Sequence, residues 1–400
     1  MTQPFGTLNP SPRLLLGPGP SQISPRVLRA CATPLLGYLD PEYLHLMDET
    51  QELLRYVFQT QNEYTVCAPG TGMAGMEAAF VNLLEPGDNV LICVHGHFGE
   101  RMVEIARRCG ASVTRVDAEW GSAVQPEQVA QALEAVEVKM VAIVHAETST
   151  GVLQPLEEIS VLAHEAGALF LVDCVTSLGG VSVALDARHI DAAYSGTQKC
   201  LGAPPSLAPM SFGQAAVQAY KGRKMPVQSF YLDMGQFWRY WGPERGYHQT
   251  GMISMVYALR EALLEIREEG LEARIARHVA NQRALIAGLE GMGLVLLVHD
   301  PALRLPSLTT VLAPEGVEDK VIRGRLLREY GIEIGGGMGR YAGRAWRIGL
   351  MGYASQRANV VLLLSALGDL LRNERVDEGL AAAAASYSEE GSSGGATRSV

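Results

Sequence analysis

Ala168-Leu169-Phe170-Leu171-Val172-Asp173 is an apolar run that ends in an acid, and Ala192-Ala193-Tyr194-Ser195 opens a second that leads into Gly196-Thr197-Gln198-Lys199. Runs of this length and composition read as buried strands. Outward from them, residues 64–68, 89–94, 112–116, 140–145 and 207–212 have the same character. Helical segments at 73–84, 99–108 and 127–135 fall between most of them. This alternation predicts an α/β fold whose large domain has a mainly parallel, seven-stranded sheet. Ligands of such sheets sit beyond the carboxyl ends of strands. Asp173 is at one such end, and Lys199 closely follows another.

A lysine past one buried strand and an aspartate closing another suit pyridoxal phosphate (PLP). The amine can form a Schiff base with the cofactor aldehyde. The carboxylate can hold the pyridinium nitrogen protonated, so that the ring accepts electrons. A loop lysine beside a helix-capping aspartate has the same spacing, and these two residues alone do not choose.

The chain has 400 residues, 48% hydrophobic and 19% charged, which suits about two domains with a large core. A net charge of −10 argues against nucleic-acid binding. No apolar stretch reaches the roughly 18 residues that span a bilayer, and Met1-Thr2-Gln3-Pro4-Phe5-Gly6 lacks the basic-then-apolar pattern of a secretory leader. The six cysteines form no C-x-x-C pair and no zinc-like spacing, so no metal is expected, and a reduced cytoplasm is. Cys174 and Cys200, next to Asp173 and Lys199, read as small packing residues.

The expected organisation is an extended arm at 1–13, a large PLP-binding domain at 14–272, a smaller C-terminal α+β domain at 273–374 and a disordered tail at 375–400. A long helical stretch at 254–289 should break at Gly270. Beyond it come β-like 294–298 and 309–312, a helix at 320–330, β-like 345–350 and a helix at 355–371. The tail assignment rests on its Ala-, Ser- and Gly-rich composition.

Gly70-Thr71-Gly72-Met73-Ala74-Gly75 matches G-x-G-x-x-G between a strand and a helix. A dinucleotide site would need an acid after the next strand, and Cys93-Val94-His95-Gly96 has none. One phosphate on the helix N-terminus, held by backbone N–H groups and the Thr71 hydroxyl, fits better; a tight turn that needs glycine for space is the alternative. Phe98 offers only stacking or core packing, and His95 and His97 lack the partners a metal site needs. Thr148 can face a cofactor or substrate, whereas capping or a turn competes for Ser149 and Thr150. Arg347, alone in the apolar Trp346-Arg347-Ile348-Gly349-Leu350, suits either a substrate carboxylate or a structural ion pair.

Taken in order, Leu16-Gly17-Pro18-Gly19-Pro20-Ser21, Gly70–Gly75, Glu147-Thr148-Ser149-Thr150-Gly151, Val172-Asp173, Ser195-Gly196-Thr197-Gln198-Lys199 and Arg347-Ile348-Gly349 resemble the class V, fold-type I PLP-dependent aminotransferases. Within that family the chain is most similar to the alanine–glyoxylate and serine–pyruvate group, over about residues 12–373. The resemblance implies Lys199 as the Schiff-base lysine and Asp173 as the pyridinium partner. It implies Thr71, Gly72, Met73 and Gln198 around the phosphate, Met73 without a side-chain role because the family has a polar residue there. Phe98 would stack on the ring, and Thr148 and Val175 would also meet the cofactor. Arg347 would take the substrate carboxylate, with Pro18, Gly19, Tyr38 and Thr148 lining the substrate pocket.

The resemblance further implies a homodimer in which Tyr247 and Thr250 reach the other subunit's phosphate. The implied activity is transamination between alanine or serine and glyoxylate or pyruvate. The alternatives are an (S)-ureidoglycine–glyoxylate aminotransferase, whose relatives carry glutamine at the position of Tyr38, and a class V lyase or cysteine desulfurase. Desulfurases place histidine before the lysine and a late reactive cysteine; here Gln198 precedes Lys199 and no cysteine follows Cys200.

Overall fold

All seven apolar runs become strands of one sheet in a computed structural model that describes residues 6–393. They are β1 (Tyr64–Pro69), β2 (Asn89–Val94), β3 (Ser112–Asp117), β4 (Met140–Val144), β5 (Leu169–Asp173), β6 (Ala192–Tyr194) and β7 (Leu207–Phe212). Their spatial order is β1-β7-β6-β5-β4-β2-β3. Only β7 is antiparallel to its neighbours. The central strands are apolar throughout because both faces are covered, and every residue of β4 is buried.

Helix α1 (Pro41–Phe58) precedes the sheet and was not anticipated from the sequence. Its start signal is present: Asp40 accepts the Glu42 N–H and Pro41 occupies the first turn. Helices α2 (Gly72–Leu83), α3 (His97–Arg108) and α4 (Pro126–Ala135) follow β1, β2 and β3. The long helical stretch divides at Gly270 into α5 (Ile253–Glu269) and α6 (Leu271–Gly291).

A second apolar cluster gathers Leu16 with residues of α6, α7 (Arg357–Leu371) and a three-stranded antiparallel sheet. That sheet is β8 (Leu308–Leu312), β9 (Gly335–Gly336) and β10 (Ala345–Gly349), in the order β8-β10-β9. Helix α6 joins the clusters, giving Leu271 to the first and Ala284, Leu285 and Leu289 to the second.

Three expectations differ from the structure. Leu14 and Leu15 pair in parallel with Ile332 and Glu333, so the chain start packs with the C-terminal layer rather than the large sheet. Residues 294–298 make an isolated bridge from Leu296 to Val311 instead of a strand. The segment soon meets Pro301, which has no N–H to extend a ladder. The tail expected to be disordered folds as α8 (Val376–Ser393). Ala383 is buried in the second cluster, and the Tyr387 hydroxyl donates to Asn281 Oδ1 over 2.7 Å. Residues 1–5 and 394–400 lie outside the described residues.

Candidate active site

Parallel pairing of β5 with β6 puts Asp173 opposite Tyr194, and the loop after β6 carries Lys199 to the same cavity. Asp173 is buried; its Oδ1 accepts the Val175 N–H at 2.8 Å and its Oδ2 accepts the Tyr194 hydroxyl at 2.9 Å. Burial pushes its carboxyl up to about 7, against those two hydrogen bonds. Burial and the positive charge of Arg347 bring the Lys199 amine down to about 8. Lys199 Nζ donates to the Pro18 carbonyl. A Cβ on Gly19 would stand 2.8 Å from that nitrogen, so glycine there leaves room for the lysine.

The start of α2 offers backbone donors to the same cavity. Thr71 is its N-cap but makes no side-chain capping bond; the Ala74 N–H is taken by the Thr71 carbonyl at 2.8 Å, and the N–H groups of Gly72 and Met73 face the cavity. A Cβ on Gly72 would come within 2.8 Å of Val175 Cγ2, and one on Gly196 within 3.2 Å of the Gly72 nitrogen. The absence of both side chains keeps the approach to that nitrogen open. Gln198 Oε1 is buried there without a partner. A ligand presenting a phosphate beside a ring nitrogen fits this set: N–H donors, a hydroxyl, a side-chain amide whose NH2 can donate, a lysine and a buried carboxylate. Thr71, Gly72, Met73, Gln198, Asp173 and Lys199 all line the cavity, as do Phe98, Val175 and Thr148.

Arg347 is half-buried in the middle strand of the small sheet. Its Nε donates to the Gly336 carbonyl at 2.7 Å and its Nη1 to the Thr148 carbonyl at 3.1 Å. Burial brings it down to about 10. It makes no ion pair within hydrogen-bond reach among the described residues, although the buried Glu147 carboxylate favours its charge. Arg323 is nearby in charge but is committed to Asp319 at 2.7 Å.

Tyr38, Tyr247 and Thr250 are not on the wall of this cavity. The rings of Tyr38 and Tyr247 lie 5.4 Å apart, and Tyr247 is 53% exposed. Two residues of the neighbourhood went unread in the sequence. Glu147 is fully buried and takes hydrogen bonds from the start of α3. Exposed Arg101 puts Nη1 3.2 Å from Met73 Sδ and its guanidinium 5.5 Å from the Phe98 ring centre. Their partners lie on other elements, so local sequence carried no signal for them. Cys174 and Cys200 are buried and their thiols are raised by burial, as packing residues would be.

This sheet and this cavity are those of a fold-type I, PLP-dependent transferase. A family model described as aminotransferase class-V matches residues 14–355. The chain is 39% identical over 393 residues to the (S)-ureidoglycine–glyoxylate transaminase of Bacillus subtilis (strain 168), spanning 93% of this chain and 94% of that one. It is 39% identical over 368 residues to the alanine–glyoxylate aminotransferase of Drosophila melanogaster, spanning 91% and 93%. Among solved structures, the alanine–glyoxylate aminotransferase from Nostoc sp. superposes with a TM-score of 0.91 at 48% identity, covering 92% of this chain and 98% of that one. The chain belongs to the class V aminotransferases and is a PLP-dependent enzyme.

Proposed function

We propose that this aminotransferase moves the amino group of alanine or serine to glyoxylate or pyruvate, in two half-reactions that share one site. The observation that carries the reading is the convergence of Lys199, Asp173 and the open start of α2 on one cavity, with Arg347 bonded to its wall at Thr148. Bound PLP would supply the electron sink. Asp173 would balance the protonated ring nitrogen. The Thr71 hydroxyl, the Gly72 N–H and the Gln198 amide would hold the phosphate. Arg347 would orient the substrate by its carboxylate. Lys199 would hold the cofactor covalently, and when displaced by substrate its Nζ would move a proton from the substrate α-carbon.

A homodimer with shared sites accompanies this reading. Support comes from exposed apolar residues near Tyr247, among them Phe230 at 70% and Tyr231 at 49% exposure. A second chain would cover them and bring Tyr247 and Thr250 to the neighbouring phosphate. A cytoplasmic location is supported by six free cysteines. The Bacillus subtilis relative supports (S)-ureidoglycine as an alternative donor.

The purified protein should show a visible absorbance band that bleaches when alanine is added and returns with glyoxylate. A screen of amino donors against glyoxylate and pyruvate then ranks the substrates. A band that no amino acid bleaches would defeat the reading.

A further inference from the structure

We infer that Glu147 is a positioning residue that holds Phe98 on the cavity wall by capping α3 from another part of the chain; this rests on the aminotransferase reading above. An α-helix leaves its first four N–H groups without partners inside the helix. The N-cap of α3 is Gly96, which has no side chain to accept them. The acceptors come from the hairpin after β4. Ser149 Oγ accepts the His97 N–H at 2.9 Å, and Glu147 Oε2 accepts the Phe98 N–H at 3.0 Å. Glu147 Oε1 is itself fixed by the Ser149 N–H at 2.9 Å and hydroxyl at 2.7 Å.

Gly96 and Glu147 are complementary in space. A Cβ at position 96 would lie 2.2 Å from Glu147 Cγ and 2.6 Å from Ser149 Oγ. The local cap is absent because the distant one fills its place. Glu147 is 0% exposed, and a carboxylate is tolerated there only while donors surround it. Phe98 is the second residue of α3, and its ring lines the cavity. The acceptor on its N–H therefore fixes where the ring's backbone sits. A cap that merely stabilised α3 would act equally with and without cofactor. A positioning role acts more on the loaded enzyme.

The test uses the full chain and PLP as the probe. Four proteins are compared with wild type: Glu147→Gln, Glu147→Ala/Ser149→Ala, that pair with Gly96→Ser added, and Gly96→Ser alone. Glutamine keeps the volume but replaces one acceptor by a donor. It should weaken PLP binding by on the order of tenfold. It should also shrink the visible circular dichroism of bound PLP and lower Tm more in the loaded protein than in the apoprotein. Serine at 96 can accept the Phe98 or Gly99 N–H as an ordinary N-cap. Its φ of 175° is extended backbone open to any residue. Gly96→Ser should therefore recover part of the lost PLP affinity in the double-alanine protein, yet weaken binding when introduced alone. Unchanged PLP affinity and dichroism in Glu147→Gln, with equal Tm losses in both forms, would overturn the inference. So would the absence of recovery by Gly96→Ser. A wild-type protein that binds no PLP would instead overturn the aminotransferase reading.

Discussion

Arg347 Nη1 donates to the Thr148 carbonyl over 3.1 Å, and this bond ties the small sheet to the hairpin that borders the cavity. The guanidinium is bonded to two carbonyls and to no carboxylate among the described residues. It is thus oriented while its charge is still uncompensated by an ion pair, which is the state in which it can bind an anion. Arg347→Ala should lower kcat/KM by a factor equivalent to about 1.5–3 kcal/mol, on the order of 10- to 100-fold, the worth of a charged hydrogen-bonded contact. Most of the effect should fall on KM. Arg347→Lys should retain part of the affinity, since a point charge replaces a planar fork. Steady-state kinetics with alanine and glyoxylate check both, and an unchanged KM in Arg347→Ala would remove the residue from substrate binding.

Lys199 sets a pH dependence that can be measured without turnover. Only the neutral amine can attack a carbonyl, and burial brings Lys199 from 10.5 down to about 8. The rate at which apoprotein captures PLP should rise with pH and level off above about 8. Stopped-flow absorbance reads this directly. Lys199→Ala should show no such capture and should lose on the order of 10²–10⁴-fold or more in turnover. A capture rate independent of pH between 6 and about 9 would contradict the assigned role.

The seven strands of the main sheet were legible because a doubly covered sheet demands continuous apolar runs, and β4 and β5 supply them. The convergence of Lys199, Asp173 and Gly72 on one cavity was legible because each sits at a strand end or strand-to-helix turn, a position that the local pattern reveals. Glu147 was not, since its meaning depends on α3, reached only because β2 and β4 are neighbours. The tail misled for a compositional reason. Alanine-rich sequence reads as low complexity, yet alanine is the best helix former. Leu380, Ala383 and Tyr387 are spaced to face one side and pack against the second cluster.

Ionised Asp173 should cost the apoprotein stability at high pH. Its folded value, about 7, is above the ordinary 3.8. The stability it contributes is therefore full below about 3.8 and lost as pH rises through about 7. Asparagine is neutral at every pH and can still accept from Val175 N–H. Apo Asp173→Asn should thus gain Tm relative to apo wild type at pH 8 and match it near pH 4. With PLP the order should reverse, because asparagine cannot balance a protonated ring nitrogen, and turnover should fall on the order of 10²-fold. Scanning calorimetry of both forms at the two pH values decides it. A variant whose apo Tm difference does not change with pH would place the titration elsewhere.

Tyr247 and Thr250 are exposed and off the cavity wall of their own chain. If they complete the partner's site, two inactive chains should complement each other. Mixing Lys199→Ala with Tyr247→Ala/Thr250→Ala should yield hybrids in which one site has every part. Recovery of about a quarter of wild-type activity is expected if chains mix at random and one of the two hybrid sites works. Demonstrated subunit exchange without any recovery would make each site self-contained.

The preferred donor should be small. In the proposed reading Arg347 would provide one carboxylate clamp, and Arg323 is already paired with Asp319. A second carboxylate in a closed pocket would lack a buried partner, which is costly. Alanine with glyoxylate should therefore give the highest kcat/KM, followed by serine with pyruvate or glyoxylate. Ureidoglycine should rank third if Tyr38, off its own chain's cavity wall and 5.4 Å from Tyr247, reaches the partner's pocket alongside Tyr247 and sets an aromatic ring where an amide would be needed. Tyr38→Gln should accordingly shift the ratio of ureidoglycine to alanine activity upward by on the order of tenfold, the worth of one good hydrogen bond to a buried group. The measurement is kcat/KM for alanine, serine, aspartate, glutamate and ureidoglycine with glyoxylate as acceptor. A clear preference for aspartate or glutamate that disappears in Arg101→Met would identify Arg101, beside Met73 and Phe98, as the partner of a second carboxylate. A preference for ureidoglycine in wild type would show that another polar group, from this chain or its neighbour, supplies the amide contact that Tyr38 cannot.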